Sequence, residues 1–255
     1  MSLTKAALQI AVPLPKLESF RRFLFIGPHP DDIEIGAGAL AAKLAAAGRE
    51  VFFLICLDGR YGGANRPDLS PDELALVRKE EARASARVIG AHEPVFLDLC
   101  DGGFYDYDAL EREIAKAVGE IGPDVIFAPD PSVGSECHKD HLNVGRAAKT
   151  VACFAPYAGI MERYGAKAAD VKALAMYFTA RPNRYVPTGG FFSKQLDSIF
   201  SCHRSQFPVP SPAASSLKLY LTLRARENGL HCLSRSGESY RVLDATRMHC
   251  LPEGE

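Results

Sequence analysis

The chain has 255 residues, 47% of them apolar, and sets 30 Lys plus Arg against 31 Asp plus Glu for a formal net charge of −1. That length supports one substantial core, and that balance gives no electrostatic reason to expect nucleic acid or an anionic membrane surface as partner. No apolar run approaches the length of a membrane-spanning helix, and the N-terminal segment lacks the long apolar stretch and small-residue cleavage site of a signal peptide, so a cytoplasmic protein without a leader is expected.

Strand and helix signals alternate from the start. Arg22 to Gly27 reads as a strand, and Ala37 to Ala47, rich in Ala and Leu and stopped by Gly48, as a helix. Val51 to Leu57 is a nearly continuous apolar run, the mark of a strand buried on both faces. Ser70-Pro71-Asp72-Glu73 opens a helix with a capping serine, a proline in the first turn and acids behind it; that helix ends near Ile89, before Gly90. Pro94 to Leu99 is a third strand, Asp108 to Ile121 a third helix, Asp124 to Ala128 a fourth strand and His141 to Cys153 a fourth helix. Beyond Pro156 the pattern loosens. Leu174 to Thr179 reads as a fifth strand, while Gly189 to Cys202 and Ser215 to Glu227 read as helical around a rigid loop carrying Pro208, Pro210 and Pro212.

The alternation predicts an α/β architecture: a Rossmann-like, doubly wound, mostly parallel sheet with helices on both faces, plus a small C-terminal extension. A single domain over residues 1–255 is expected, with its core over about 20–155 and residues 156–255 completing the sheet and the pocket. The common strand order 3-2-1-4-5 sets the first and fourth strands side by side at the switch point, where α/β sheets bind ligands. Seven cysteines (Cys56, Cys100, Cys137, Cys153, Cys202, Cys232, Cys250) form no Cys-x-x-Cys pair and suit a reduced protein using them as small core residues. Cys137 adjoins a histidine and is read as a neighbour of a site, not a member.

Two short runs carry the chemistry. His29-Pro30-Asp31-Asp32 follows the first strand, and His138-Lys139-Asp140-His141 follows the fourth. The topology thus predicts that two remote segments meet in one crevice. His29 and Asp32 lie three residues apart across a strand-to-helix turn, and Pro30 limits slack in it. With His141 they offer two imidazoles and a carboxylate to a divalent metal and leave coordination positions open, as a catalytic zinc requires; zinc would lower the pKa of water toward ~7. Iron or another divalent ion is tolerated by the same donors. Asp31 diverges from its neighbour Asp32 and is better used as general base. His138 is suited to stabilise an oxyanion or to protonate a leaving amine. Asp140 or Asp130 is expected to orient one of the imidazoles.

At these residues the chain resembles the LmbE/PIG-L family of zinc-dependent N-acetylglucosaminyl deacetylases, most strongly over residues 22–155. Gly27-Pro28-His29-Pro30-Asp31-Asp32 is similar to the family's first motif, with Ile33 and then Glu34 where Glu usually follows directly. The resemblance implies His29, Asp32 and His141 as zinc ligands, Asp31 as general base and His138 as oxyanion helper. Arg78-Lys79-Glu80-Glu81 is similar to the family's Arg-x-x-Glu helix, and Asp101-Gly102 to its Asp-Gly after the third strand; both imply substrate contacts, from Arg78 and Asp101. Leu57-Asp58-Gly59-Arg60-Tyr61-Gly62 departs from the family's usual Thr-x-Gly-Glu-x-Gly, so specificity is not transferred. Glu136 stands where some members carry a tyrosine. His203-Arg204-Ser205-Gln206 resembles a His-x-Ser-Gln run, for which helix-end packing is the expected role of His203, while His92, His231 and His249 read as ordinary.

The expected function is hydrolysis of an N-acyl, foremost N-acetyl, group on a small-molecule amino-sugar substrate. One rival is an amidase acting on a larger thiol-conjugate amide. A second, of another class, is a non-catalytic sugar- or nucleotide-binding module. Against the last, the first strand-turn lacks a Gly-x-Gly-x-x-Gly run, and adjacent carboxylates there would repel phosphate. The resemblance also implies a homo-oligomer.

Overall fold

A computed structural model describes residues 3–249; Cys250 lies outside them. Five parallel strands form the body of the sheet: β1 (Arg22–Gly27), β2 (Glu50–Leu57), β3 (Val95–Leu99), β4 (Val125–Pro129) and β5 (Ala173–Tyr177). Two more, β6 (Arg184–Pro187) and β7 (Gly237–Asp244), extend it antiparallel, giving the order β3-β2-β1-β4-β5-β7-β6. The strand order expected from the alternation is therefore present, with β1 and β4 as neighbours in register Phe23 to Val125. The antiparallel pair was not foreseen: β6 is short, and β7 carries Glu238, Ser239 and Arg241, all buried, where an inner strand would be apolar.

Helices follow the chain as α1 (Leu3–Ala11), α2 (Asp32–Ala46), α3 (Pro71–Ile89), α4 (Tyr107–Ile121), α5 (Lys139–Phe154), α6 (Ala158–Arg163), α7 (Phe192–Asp197) and α8 (Pro212–His231). Alternate residues of β1 serve opposite layers. Phe23 and Phe25 pack with Leu40 of α2 and with Ala82 and Ile89 of α3; Leu24 and Ile26 pack with Ile114 of α4 and with Val144 and Val151 of α5. The segment expected to be one helix over Gly189 to Cys202 is a 3₁₀ turn, α7 and a π turn (Ser198–Cys202) in succession. The capping box at Ser70 is formed: its side chain accepts from the Glu73 N–H, and the Glu73 carboxylate accepts from the Ser70 N–H.

Helix α2 begins five residues before the expected start, because Asp32 itself opens it, and it breaks at Ala37 (φ −152°, ψ 15°). A break orphans backbone groups on both sides. Below it, the Gln195 amide donates to the carbonyls of Glu34 (2.8 Å) and Ile35 (3.2 Å). Above it, the Glu238 carboxylate accepts from the N–H groups of Ala39 (3.0 Å) and Leu40 (2.8 Å), and from the Tyr240 hydroxyl (2.6 Å). Gly36 at the bend packs against Tyr177, where an added Cβ would lie 2.3 Å from the ring. The Gly36-Ala37-Gly38 run is thus a close-packed elbow.

Burial pushes the Glu238 carboxyl up to about 7, against the pull of Tyr240 and the two N–H groups. Its folded value lies above its ordinary value of 4.5, so its stabilising contribution is full below that value and is lost as pH rises through about 7. Between about pH 5 and about pH 8 the wild type should lose about 2–3 kcal/mol of stability relative to Glu238→Gln. Urea unfolding of both proteins across that range checks this; parallel pH curves would refute it.

Candidate metal centre

The turn after β1 is built so that three donor atoms converge. Asp32 Oδ2 accepts the His29 backbone N–H (2.9 Å), which folds the turn back on itself, and lies 3.2 Å from His29 Nδ1. From the first turn of α5, His141 Nε2 comes within 3.4 Å of the same oxygen. The outward nitrogen of each imidazole meets a carboxylate: His29 Nε2 lies 3.0 Å from Asp140 Oδ2, and His141 Nδ1 lies 3.1 Å from Glu136 Oε2. Each carboxylate takes the outer N–H and so aims the opposite lone pair inward, the arrangement by which metal-binding histidines are oriented. Of the two acids considered for orienting an imidazole, Asp140 is the one in contact. Asp130 is occupied by Ser132 and Thr179.

Electrostatics favour a cation here. Burial opposes a charge on His29, yet Asp140 and Asp32 push it up to about 9. His141 moves the same way: burial works against charging and Asp32 overcomes it. Burial works against ionisation of Asp32, but His141 and His29 hold its carboxyl far below the ordinary range. One carboxylate oxygen and two nitrogens, mutually within 4.8 Å and competing for protons, form a donor set that a divalent ion fits. His29, His138 and Asp140 meet the same proximity test. The first set has both outer nitrogens held by carboxylates, whereas in the second His29 Nε2 is already engaged by Asp140.

Asp31 stands beside this centre in a conformation rare for a side-chain-bearing residue, φ 119° and ψ −27°. Its Oδ2 accepts from Arg78 Nη2 (3.1 Å); among the described residues no protein donor reaches Oδ1. Burial raises its carboxyl to about 6, Arg78 pulling against the rise and Asp32 adding to it. Arg78 is 4% exposed and also donates to the carbonyls of Pro30 (2.8 Å) and Gly59 (3.0 Å). Gly59 has φ +69°, and a Cβ there would lie 2.2 Å from Arg78 Nη1, so the glycine of the divergent Asp58-Gly59-Arg60 loop makes room for the guanidinium. The Nη atoms of Arg78 thus engage protein acceptors, while its buried Nε meets none among the described residues.

His138 caps α5. Its Nδ1 accepts the Asp140 N–H (3.3 Å), so the neutral ring carries its proton on Nε2. Its side chain is 48% exposed, its ring centroid lies 4.9 Å from that of His29, and burial together with the neighbouring His29 lowers its pKa. Asp101 is buried on the same rim, where both its oxygens lie 3.3 Å from the Tyr61 N–H, and burial raises its pKa. Cys137 is exposed and belongs to neither donor set. His203 is fully buried with Nε2 3.1 Å from Glu34 Oε1 and belongs to neither donor set. Glu136 was missed as a site-shaping group; its one sequence signal is an acid two residues before the second histidine motif.

Fold and centre together define an α/β protein with a His-His-Asp group that could hold a metal ion at its switch point. Residues 24–152 match the family described as PIG-L, GlcNAc-PI de-N-acetylase, and the chain belongs to this family. It is 30% identical over 235 residues (91% of this chain, 86% of the relative) to the diacetylchitobiose deacetylase of Thermococcus kodakarensis. It is also 30% identical over 203 residues to the 1D-myo-inositol 2-acetamido-2-deoxy-alpha-D-glucopyranoside deacetylase of Kineococcus radiotolerans, covering 68% of this chain and 55% of that one. Among solved structures, N,N'-diacetylchitobiose deacetylase from Pyrococcus horikoshii matches with a TM-score of 0.87 and 27% identity over 99% of this chain and 97% of that one. No helix among the described residues is long and apolar enough to cross a membrane.

Proposed function

We propose that this protein is a metal-dependent hydrolase that removes the N-acetyl group from an amino sugar or a small amino-sugar conjugate. The observation that carries the reading is the convergence of His29 Nδ1 and His141 Nε2 on Asp32 Oδ2, with the Asp31 carboxyl alongside. Relatives with deacetylase names that span most of this chain support the substrate class. His29, Asp32 and His141 would hold the ion, and two nitrogens with one oxygen favour zinc over harder cations. When bound, such an ion supplies Lewis acidity, polarising an acyl oxygen and acidifying water.

The remaining roles belong to the chain. Asp31 Oδ1, the oxygen not engaged by Arg78, takes the proton of the attacking water. Arg78 fixes the rotamer of Asp31 through Oδ2 and so positions the base. His138 presents Nε2–H at the open side of the centre, where it donates to the developing oxyanion. Asp101 accepts from substrate hydroxyls on the rim. Incubation with a panel of N-acylated glucosamine derivatives should release primary amine, and a chelator should abolish the release. Elemental analysis of protein purified without added metal should find zinc near one per chain. Absence of amine from every member of the panel, with metal bound, would end this reading. A homo-oligomer is proposed as well, and light scattering at the monomer mass would reject it.

Glu136 makes a separate expectation. Glu136→Ala leaves His141 Nδ1 without its carboxylate, and metal affinity should fall about 10–100-fold. Chelator competition measures this directly, and an unchanged dissociation constant would refute the orienting role.

A further inference from the structure

The His203-Arg204-Ser205-Gln206 run follows the π turn at Ser198–Cys202, a rare conformation that recurs at functional sites, and it reaches α2, α3 and the loop around Gly62. His203 Nε2 lies 3.1 Å from Glu34 Oε1, in the first turn of α2. The Ser205 N–H and hydroxyl donate to the two oxygens of Glu81 on α3, at 2.7 and 2.6 Å. Gln206 Nε2 donates to the Gly62 carbonyl (3.0 Å), and Asn65 Nδ2 donates to the Gln206 carbonyl (2.8 Å).

The contact with Glu34 bears on Asp31 and Asp32. The segment from Asp32 to Gly36 is cut off from the rest of α2 by the break at Ala37 and is too short to hold its own shape. It must also keep Asp31 at φ 119°, a conformation that persists only where surrounding contacts over-determine it. Outside elements grip the segment at Glu34, which is 1% exposed. Gln195 holds its carbonyl, and Ser85 Oγ and His203 Nε2 both meet its Oε1. Ser85 lies two helical turns beyond Arg78, so one buried face of α3 holds Asp31 through Arg78 and Glu34 through Ser85. A carboxylate only accepts, so His203 Nε2 carries its proton toward Glu34. The buried Nδ1 has no partner among the described residues, and the ring's hydrogen bonding there rests on Nε2. Burial works against charging His203, but the charge of Glu34, the bond to it and the charge of Asp31 raise its pKa.

We propose that His203 is a positioning residue: its hydrogen bond to Glu34 fixes the short opening segment of α2 and, through it, the carboxylates of Asp31 and Asp32. The kinetic half of this proposal rests on the deacetylase reading above, and the metal-binding half does not. His203→Leu removes the donor at similar side-chain volume, whereas His203→Gln returns an amide N–H near the place of Nε2. Chelator competition gives the metal dissociation constant of each folded variant. The kcat and KM are measured on metal-saturated protein with the best-hydrolysed member of the N-acylated glucosamine panel. His203→Leu should weaken metal binding about tenfold and lower kcat about tenfold with KM little changed. His203→Gln should restore most of both losses.

Ser85→Ala removes the other donor to the same Glu34 oxygen, should shift both quantities in the same direction, and serves if His203→Leu does not fold. A loss in either quantity that glutamine restores sustains the proposal. A fall in thermal stability alone, with the metal dissociation constant and the kcat per folded molecule both unchanged, overturns it. Equal losses in the leucine and glutamine variants overturn it too, since the hydrogen bond is then not the cause. If wild type hydrolyses no member of the panel, the deacetylase reading falls and the metal measurement alone decides the role of His203.

Discussion

Asp31→Asn should retain its metal and its fold and lose about 10²–10⁴-fold in kcat. Asparagine keeps the size of the side chain and is among the residues that best tolerate an unusual positive φ, so the turn at φ 119° persists. The donor atoms on His29, Asp32 and His141 are untouched. What disappears is the oxygen able to accept a proton, since an amide is not basic in water. KM should change little, because the role proposed for Asp31 is on the attacking water and not on the sugar. Steady-state kinetics with a metal count on the same sample checks both halves. Near-wild-type turnover on a good substrate would transfer the base role to another group.

Arg78→Ala should be the most destabilising single substitution near the site, by about 3–5 kcal/mol. The guanidinium is buried and its loss strands three acceptors at once: the Pro30 carbonyl, the Gly59 carbonyl and Asp31 Oδ2. Breaking a buried pair from one side leaves the other charge uncompensated, which costs more than the pair contributes when intact. The same substitution removes the cation that restrains the upward shift of Asp31, so the carboxyl moves further from the ordinary range. Denaturant unfolding measures the first effect. The kinetic pattern decides the role: a positioning residue lowers kcat and spares KM, whereas a substrate ligand raises KM. Arg78→Lys keeps the charge but cannot reach all three acceptors with a planar fork, and should recover only part of the loss.

The parallel half of the molecule was legible because each of its elements carries local punctuation. Ser70-Pro71 opens α3, Gly48 and Gly90 close α2 and α3, and the apolar run of β2 admits no other reading. The two histidine motifs followed from topology, since strands one and four adjoin in the common order. The antiparallel edge did not show itself, because β7 pairs with segments some sixty residues earlier and its buried Glu238 and Arg241 are satisfied by partners that no local window contains. Arg78 was read as reaching for substrate from its motif alone; that it also donates to Pro30, Gly59 and Asp31 depends on segments 19 to 48 residues away, which the motif does not contain. Glu136 was treated as a departure at a tyrosine position, and its hydrogen bond to His141 depends on how the loop before α5 folds back. The neighbour that Asp140 selects, His29, lies 111 residues away in sequence.

The backbone angle of Asp31 has a bearing on engineering. A residue held at φ 119° carries a conformational penalty of about 1–3 kcal/mol that glycine would shed. Glycine at position 31 would nonetheless strand the buried Arg78 guanidinium and remove the carboxylate proposed to move the proton, so the strain is retained in exchange for that pair. Screens of this scaffold should hold that codon constant and take their gains from the far rim of the sheet.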